Sequence, residues 1–470
     1  MSAQIAAQAD HGIRQKALRN FRKWSRWQWG VLGCLIAVTL GGVNVALAQI
    51  VVVEFRVNST ADELDANPGD GICRTAGGQC TLRAALLEAI SDDNVVIAGT
   101  KQARIVLPAG RFVITRPPLS TPNLLDAENG DFDMLGAIVI AGAGAGLTVV
   151  DGNGLDRVFH IEGGLIPCVL PLCPAQVGQA GTVTLSDLTV TGGVATSGSG
   201  VGIASMDIGG GILSMSAGGP NYLGRPTLTL KRLVVTGNRA SAGGGVFSAG
   251  NLNVEESTIS NNIGESAVGG IRFDPGNSRV INSTITGNSV LSECCAEGSV
   301  QYAGGASGNG GGFDVRGGFL TVENSTIYGN HAVTGGGGIS IGWAYTPETG
   351  LPLDQSGSIT LRNTIIAGNT SDNGPVNCLN VDGDIVSDGG NIEDRSDCPM
   401  TADRDYQNLD PKLAPLGNYG GPTPTLNVLR GSPAIGWGRD CPVTDQRGFG
   451  RVTAVCTSGA VEYGARKLLP

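Results

Sequence analysis

The chain is predicted to be all-β and to wind into a right-handed parallel β-helix. Three observations carry this prediction: one apolar pattern recurs at fixed offsets in six segments, glycine clusters stand between the copies, and the copies end on asparagine or glycine.

The segments LTLKRLVVTGN ending at Asn238, LNVEESTISNN at Asn262, SRVINSTITGN at Asn288, LTVENSTIYGN at Asn330 and ITLRNTIIAGN at Asn369 superpose without gaps; VTLSDLTVTGG, ending at Gly193, differs at its last residue. Ten residues before the end stand Val183, Leu228, Leu252, Ser278, Leu320 and Ile359, so Ser278 is the one polar exception. Eight before stand Leu185, Leu230, Val254, Val280, Val322 and Leu361, and three before stand Val190, Val235, Ile259, Ile285, Ile327 and Ile366. Alternation at offsets ten and eight is strand periodicity, and the change of phase before offset three implies a bend between two short strands. Each unit is therefore a coil, not a hairpin.

A further strand in each coil opens on glycines: Gly209 to Gly211 before Ile212, Gly243 to Gly245 before Val246, Gly269-Gly270 before Ile271, Gly310 to Gly312 before Phe313, and Gly335 to Gly338 before Ile339. Glycine suits tight corners and close backbone contacts. The asparagines are spaced by 24, 26, 42 and 39 residues. The shorter intervals fit one solenoid turn, and the longer ones a turn carrying a loop such as Leu291 to Ala303 or Trp343 to Ser356. Stacked coils would align the apolar positions into inward columns. Asn238, Asn262, Asn288, Asn330 and Asn369 would form a structural ladder at an αL-like bend, with right-handed winding as the default for such crossovers.

Upstream, Ile105 to Leu107, Phe112 to Ile114, Ile138 to Ile140 and Leu147 to Val150 read as the first, less regular coils. An open first coil would expose core side chains and strand edges. The segment TLRAALLEAI, Thr81 to Ile90, places Leu82, Ala85, Leu86 and Ala89 on one helical face and is expected to close that end.

Residues 1–48 read as a signal peptide: Arg14, Lys16, Arg19, Arg22, Lys23 and Arg26 precede the apolar run Val31 to Leu40, and Ala46-Leu47-Ala48 offers a cleavage site. An uncleaved anchor is the competing reading, but Gly41, Gly42 and Asn44 interrupt the run. A lipid anchor at Cys34 is disfavoured because the apolar run follows that cysteine. The leader holds six basic residues and one acidic residue, so its removal takes the formal charge from −10 to −15 and makes nucleic acid a poor partner. Eleven cysteines less Cys34 leave five short-range pairs: Cys73 with Cys80, Cys168 with Cys173, Cys294 with Cys295, Cys378 with Cys398, and Cys441 with Cys456. These are expected to be disulfides formed in an oxidising compartment. Adjacent Cys294 and Cys295 would close only a strained ring. A cysteine–histidine metal site is disfavoured, since no paired Cys-x-x-Cys units occur and His11, His160 and His331 are the three histidines.

Asp65-Ala66-Asn67-Pro68-Gly69-Asp70-Gly71-Ile72-Cys73 followed by Cys80-Thr81-Leu82-Arg83-Ala84-Ala85 resembles the CSLREA domain of exported bacterial β-helix proteins, departing from it at Thr81 and Ala84. Asp410-Pro411, Asn418 to Thr423, Gly431 to Ile435 and Thr444 to Gly448 resemble the choice-of-anchor Q domain, with Gly436 in place of its usual Asp and Ser458 to Glu462 in place of its final motif. The glycine-rich repeats are similar to those of polymorphic outer-membrane proteins. These resemblances imply exported or surface β-helix proteins of mostly unassigned role. Family members often carry a sorting tail where this sequence ends at Leu468-Leu469-Pro470, which favours a soluble released protein.

The expected organisation is a signal peptide over 1–48, an N-terminal cap over 49–93, a pectate-lyase-like solenoid over 94–370 and an irregular disulfide-bonded cap over 371–470. Polysaccharide lyases and hydrolases need convergent carboxylates or a calcium cluster with a base. Here Asp131, Asp133, Asp274 and Asp314 fall at different offsets, Asp314 beside Arg316 reads as a solvated ion pair, and His160 reads as a hydrogen-bonded wall residue. No catalytic or cofactor residue is assigned. Asp65, Asn67 and Asp70 are weak calcium candidates, for which Asx turns are the simpler reading. The sequons at Asn58, Asn282, Asn324 and Asn369 mostly coincide with the repeat and read as structure.

The function expected is therefore noncatalytic: a secreted or cell-surface protein that adheres or binds an extracellular ligand, a glycan or a surface, with no transmembrane span in the mature chain. The alternatives are a carbohydrate-active enzyme on the same fold and a structural envelope component.

Overall fold

The computed structural model describes residues 51–91, 101–119, 127–163, 181–195, 207–216, 225–292, 309–345, 352–381, 383–452 and 454–467, with backbone alone at 216, 343–345 and 352–355. The leader and residues 293–303 of the first insert lie outside the described residues. Of the expected disulfides, Cys73–Cys80, Cys378–Cys398 and Cys441–Cys456 form. The other two, between Cys168 and Cys173 and between Cys294 and Cys295, fall on residues outside those described. The chain divides into Met1–Gln49 and Ile50–Pro470, and all that follows concerns the second unit.

It is a right-handed parallel β-helix. The coil after Arg225 shows the plan. Thr227–Lys231 lies in a ten-stranded sheet A, Val234–Thr236 in a nine-stranded sheet B, Arg239–Ala240 in a seven-stranded sheet D, and Val246–Ser248 in a nine-stranded sheet C; the chain then re-enters sheet A at Asn251. Neighbouring coils pair in parallel and in register, as Leu228 does with Val183 and Leu252, and Val235 with Val190 and Ile259. The apolar offsets face inward and are buried in one continuous core. Ser278, the polar exception, keeps its place because its hydroxyl accepts the Leu252 N–H at 3.1 Å.

The bend expected between the two strands of the repeat is a column of left-handed residues, Asp187, Arg232, Glu256, Asn282, Asn324 and Asn363, with φ of 57, 52, 51, 46, 44 and 49°. The asparagine ladder forms, with one correction to its geometry. The left-handed residue is the one before each ladder asparagine: Gly237, Asn261, Gly287, Gly329 or Gly368. That turn frees the asparagine to point inward along the solenoid. Asn238 Nδ2 donates to Asn262 Oδ1 at 3.0 Å, Asn262 to Asn288 at 3.0 Å, Asn288 to Asn330 at 2.9 Å, Asn330 to Asn369 at 3.0 Å and Asn369 to Asn377 at 2.9 Å. Each Nδ2 also reaches a strand carbonyl and each Oδ1 takes the backbone N–H of the preceding ladder residue, as Asn288 does with Ile259 O at 3.0 Å and with Asn262 N at 3.1 Å. The glycine clusters make room for this. A Cβ at Gly245 would lie 3.0 Å from Asn262 Nδ2 and 2.8 Å from Gly270 O.

The helix α1, Leu82–Ser91, begins one residue later than read from sequence. Thr81 caps it, its hydroxyl accepting the Ala84 N–H at 3.1 Å. Leu82, Ala85, Leu86 and Ala89 pack into the core, so the lid closes the first coil as expected. Arg83 ties the lid down through Asp62 and the carbonyls of Ala127 and Gly130. The segment before the lid also supplies solenoid structure, since Val51–Arg56 is the first strand of sheet A and pairs with Lys101–Val106.

At the other end the expected boundary at 370 falls inside a coil. Asp384–Ser387 extends sheet A and Ile392–Glu393 extends sheet B. The repeat fades there because those strands join a closing segment in which the Cys378–Cys398 disulfide and Met400 finish the core. The rest of the C-terminal region, which holds the Cys441–Cys456 disulfide, runs back as a strap against sheet B. Gln446 donates to Thr258 Oγ1 at 2.9 Å and accepts from Thr284 Oγ1 at 2.6 Å; Arg451 donates to Asn282 Oδ1 at 3.1 Å, and Gly459 N to Asn363 O at 2.7 Å. The sequon residues Asn282, Asn324 and Asn369 are buried, in keeping with a structural role.

Replacing Asn288 by Ala orphans buried groups on both sides of the ladder and is expected to lower stability by about 2 to 4 kcal/mol. Asn253→Ala, at a half-exposed outward position of sheet A, should change it by no more than about 0.5 kcal/mol. Urea midpoints of the two variants check the contrast.

Candidate functional site

Charge gathers on the outer face of sheet C, and the strand alternation explains why. In Phe132–Leu135, Phe159–Gly163, Ile271–Phe273 and Phe313–Arg316 the apolar residues face the core, so the residues between them point outward. Register stacks those outward positions into one row: Asp133, His160, Leu213, Phe247, Arg272, Asp314 and Ser340. Most of the row is buried, with Asp133 at 4%, His160 at 3%, Asp314 at 1% and Arg316 beside it at 3% exposure. The expectation of a solvated Asp314–Arg316 pair is thus corrected: the two are ion-paired at 2.9 Å out of water.

Two charged groups result. In the central one Arg272 Nε meets Asp274 Oδ1 at 2.9 Å and its Nη1 lies 3.8 Å from Asp314 Oδ2, while Arg316 holds both oxygens of Asp314. The strands Ile271-Arg272-Phe273-Asp274 and Phe313-Asp314-Val315-Arg316 carry opposite charge orders, so neighbouring coils present opposite signs to each other. Arg272 also lies over the Phe247 ring, 5.5 Å from its centroid.

The second group lies nearer the N-terminal lid. His160 Nδ1 is 2.8 Å from Asp133 Oδ1, and Nε2 is 3.3 Å from Glu162 Oε2. Arg157 Nε is 2.7 Å from Asp131 Oδ2 and 3.9 Å from Asp156 Oδ1. Asp131 and Asp133, which fall at different offsets in the sequence, are brought together with His160. They flank Phe132, and the coil step sets Asp133 beside His160. Glu162 was not singled out at all, although the alternation in Phe159-His160-Ile161-Glu162, read like that of the repeat strands, carries the signal. His160 is a hydrogen-bonded wall residue, as expected.

Burial alone would lower the imidazole pKa, but hydrogen bonds and charge from Asp133, Glu162 and Asp131 outweigh it and push the pKa up to about 9. Burial, followed by the charges of Asp133 and Asp156, lifts the Asp131 carboxyl well above its ordinary range against the pull of Arg157 and His160. At neutral pH the His160 ring is an imidazolium between two carboxylates and has no lone pair with which to take a proton. The central arginines are held by their own aspartates. The central group is built of mutually neutralising pairs.

The calcium candidates are placed elsewhere, in the loop before α1. Asp65 accepts the N–H groups of Asn67 at 2.8 Å and Arg74 at 2.7 Å, Asp70 accepts that of Ile72 at 2.8 Å, and Glu88 accepts those of Gly69 and Gly71. These are Asx turns closed by the Cys73–Cys80 disulfide, with the Asn67 side chain exposed.

Two outcomes test this electrostatic account. Asp314→Ala strands the Arg316 guanidinium and is expected to cost about 3 to 5 kcal/mol by urea denaturation. The imidazole pKa of about 9 lies above the ordinary 6.5, so His160 stabilises the fold fully below about pH 6.5, and that contribution is lost as pH rises through 9. With a chelator present, the His160 imidazole NMR signals should titrate near 9, and a midpoint at or below 6.5 would refute the account.

No family model matches the chain, and no curated protein matches it. Two solved structures are similar to it. The pectate lyase Pel9A is 14% identical with a TM-score of 0.34, covering 89% of this chain and 97% of that one. The A-module of the mannuronan C-5 epimerase AlgE4 of Azotobacter vinelandii is 16% identical with a TM-score of 0.33, covering 72% and 76%.

Proposed function

We propose that the chain is a noncatalytic exported β-helix that binds a neutral glycan or hydroxyl-rich surface on the outer face of sheet A. One observation carries the reading: this face is open and presents small hydrogen-bonding side chains in register. Its two outward columns include Thr182 and Thr184, Thr227 and Thr229, Asn251 and Asn253, and Ser358 and Thr360. They step by ~4.8 Å from coil to coil and by ~6.7 Å along a strand. Phe319 stands in the first column at 64% exposure, a flat apolar surface among hydroxyls and amides.

Threonine and asparagine offer donors and acceptors to a polyol, and an exposed aromatic ring offers a face for a sugar ring. Charge on this side is paired: Lys231 with Glu255 at 3.2 Å and Glu323 with Arg362 at 2.7 Å in a flanking column, and Arg279, which stands in the second outward column, with Glu323 as well. A chain with a formal charge of −10 repels acidic polymers, so a neutral partner fits. Among the described residues sheet B lies under the strap at Thr258, Thr284 and Thr326, and sheet C carries buried ion pairs. Among the described residues no helix is long and apolar enough to cross a membrane. In this reading the segments resembling the CSLREA and choice-of-anchor Q domains are end closures of a binding rod, and 1–48 is its export leader.

The test is co-sedimentation of the mature chain with insoluble cellulose, chitin and β-1,3-glucan, with reducing ends and unsaturated sugars assayed in the supernatant. Saturable binding to at least one polymer without new ends is expected. Phe319→Ala should weaken it about tenfold, a loss of about 1.4 kcal/mol. New chain ends would establish the enzyme alternative instead, and binding unaffected by Phe319→Ala and Thr229→Ala would remove sheet A as the contact.

A further inference from the structure

We propose that Asp131, Asp133 and His160 form a site for one divalent transition cation, with zinc or manganese the chemistry that fits, and that Glu162 orients its imidazole. The proposal is independent of the glycan reading and concerns a different face of the solenoid.

The donor geometry comes first. One ligand atom from each of Asp131, Asp133 and His160 lies within 4.8 Å of the others. Nitrogen and oxygen ligands at about 2.0 to 2.2 Å in a tetrahedral zinc shell lie about 3.3 to 3.6 Å apart, so side-chain movements of about 1 Å would complete the set. His160 Nδ1 and Asp133 Oδ1 already share one hydrogen-bond line at 2.8 Å, the position at which a cation replaces a proton. Arg157 Nε lies 2.7 Å from Asp131 Oδ2.

The second observation is Glu162, and it points to a bound cation independently of the three donors. Its side chain is 3% exposed, Oε1 has no hydrogen-bond partner, and Oε2 faces His160 Nε2 at 3.3 Å, an ion-pair contact whose angle falls short of a hydrogen bond. Leaving a buried carboxylate so poorly satisfied is costly. A carboxylate behind the far nitrogen of an imidazole is, however, what a metal-bound histidine uses to fix its ring and raise its basicity. With Nδ1 on the cation, the Nε2–H stays directed at Glu162, which fixes the ring for coordination.

The charge balance agrees. The carboxylates of Asp131, Asp133, Asp156 and Glu162 gather around Arg157 and His160, and the nearby Arg83 guanidinium is turned to Asp62. A dication supplies positive charge that the cluster is short of. The donor set selects the ion, since one imidazole with two carboxylates suits zinc or manganese, whereas calcium demands six to eight oxygens. The other grouping of this kind among the described residues, Cys378, Asp397 and Cys398, has both its thiols in a disulfide.

The experiment uses the untagged mature chain with disulfides intact, stripped with EDTA and titrated calorimetrically with Zn2+, Mn2+ and Ca2+. Zn2+ or Mn2+ is expected to bind at one site per chain and raise the melting temperature, and Ca2+ is not. His160→Gln and Asp133→Asn should weaken binding at least a hundredfold, Glu162→Gln about ten- to a hundredfold, and His331→Gln should leave it unchanged. Far-ultraviolet circular dichroism of the stripped variants checks their fold. Should a variant fail that check, the NMR signals of the wild-type His160 imidazole decide, because Zn2+ must shift them and spare those of His331. Absence of saturable binding, binding that survives His160→Gln in a folded protein, or zinc shifts confined to His331 would each overturn the proposal.

Discussion

The buried asparagine amides constrain every other part of the solenoid. Each belongs to two coils at once, donating forward to the next asparagine and back to a strand carbonyl while accepting from the coil before. An amide in that position is either fully satisfied or costly, because no water reaches it. All coils must therefore arrive at the ladder in the same phase. That explains how spacings of 24, 26, 42 and 39 residues yield equivalent ladder positions: the additional residues fall in sequence between the ladder and the next repeat strand. It also explains the glycines, whose missing side chains allow adjacent coils and the amides to approach at van der Waals distance.

A shared backbone plan does not impose a shared surface. Sheet A leaves its outward columns to solvent, sheet B gives Thr258, Thr284 and Thr326 to the C-terminal strap, and sheet C turns charge outward and in its central group neutralises it locally. The strap uses positions that are backbone-equivalent to open positions in earlier coils, as Thr189 and Thr258 show by their half-exposed and buried states. Occupancy of a face is thus decided by what returns to it from distant sequence. The net effect is a solenoid whose sheet A presents open polar columns, and the functional proposal follows from that asymmetry.

The parts that were legible in the sequence are those governed by short-range periodicity. Alternation in the six repeats identified the inward columns, the phase change located the bend that the structure shows to be left-handed at Arg232 and its equivalents, and the helical face of Leu82, Ala85, Leu86 and Ala89 identified the lid. The N-terminal charged group escaped because Asp133 and His160 are 27 residues apart in coils that lack the repeat motif, and only strand register shows that they are neighbours. The central group was closer to hand. Its two strands alternate as cleanly as the repeats, but opposite charge orders acquire meaning only once Arg272 and Asp314 are known to be opposite each other.

By itself the sequence determined the winding, since identical steps of strand, bend and strand can satisfy their backbone and bury their apolar positions only by stacking in parallel. It also determined the ladder, because asparagines at one offset become vertical neighbours in any such stack. Which face stays open, where the strap lies and which carboxylates meet His160 were decided by the tertiary structure alone. Those outcomes depend on contacts between residues many coils apart, as between Gln446 and Thr284, and no local pattern encodes the distance between such groups.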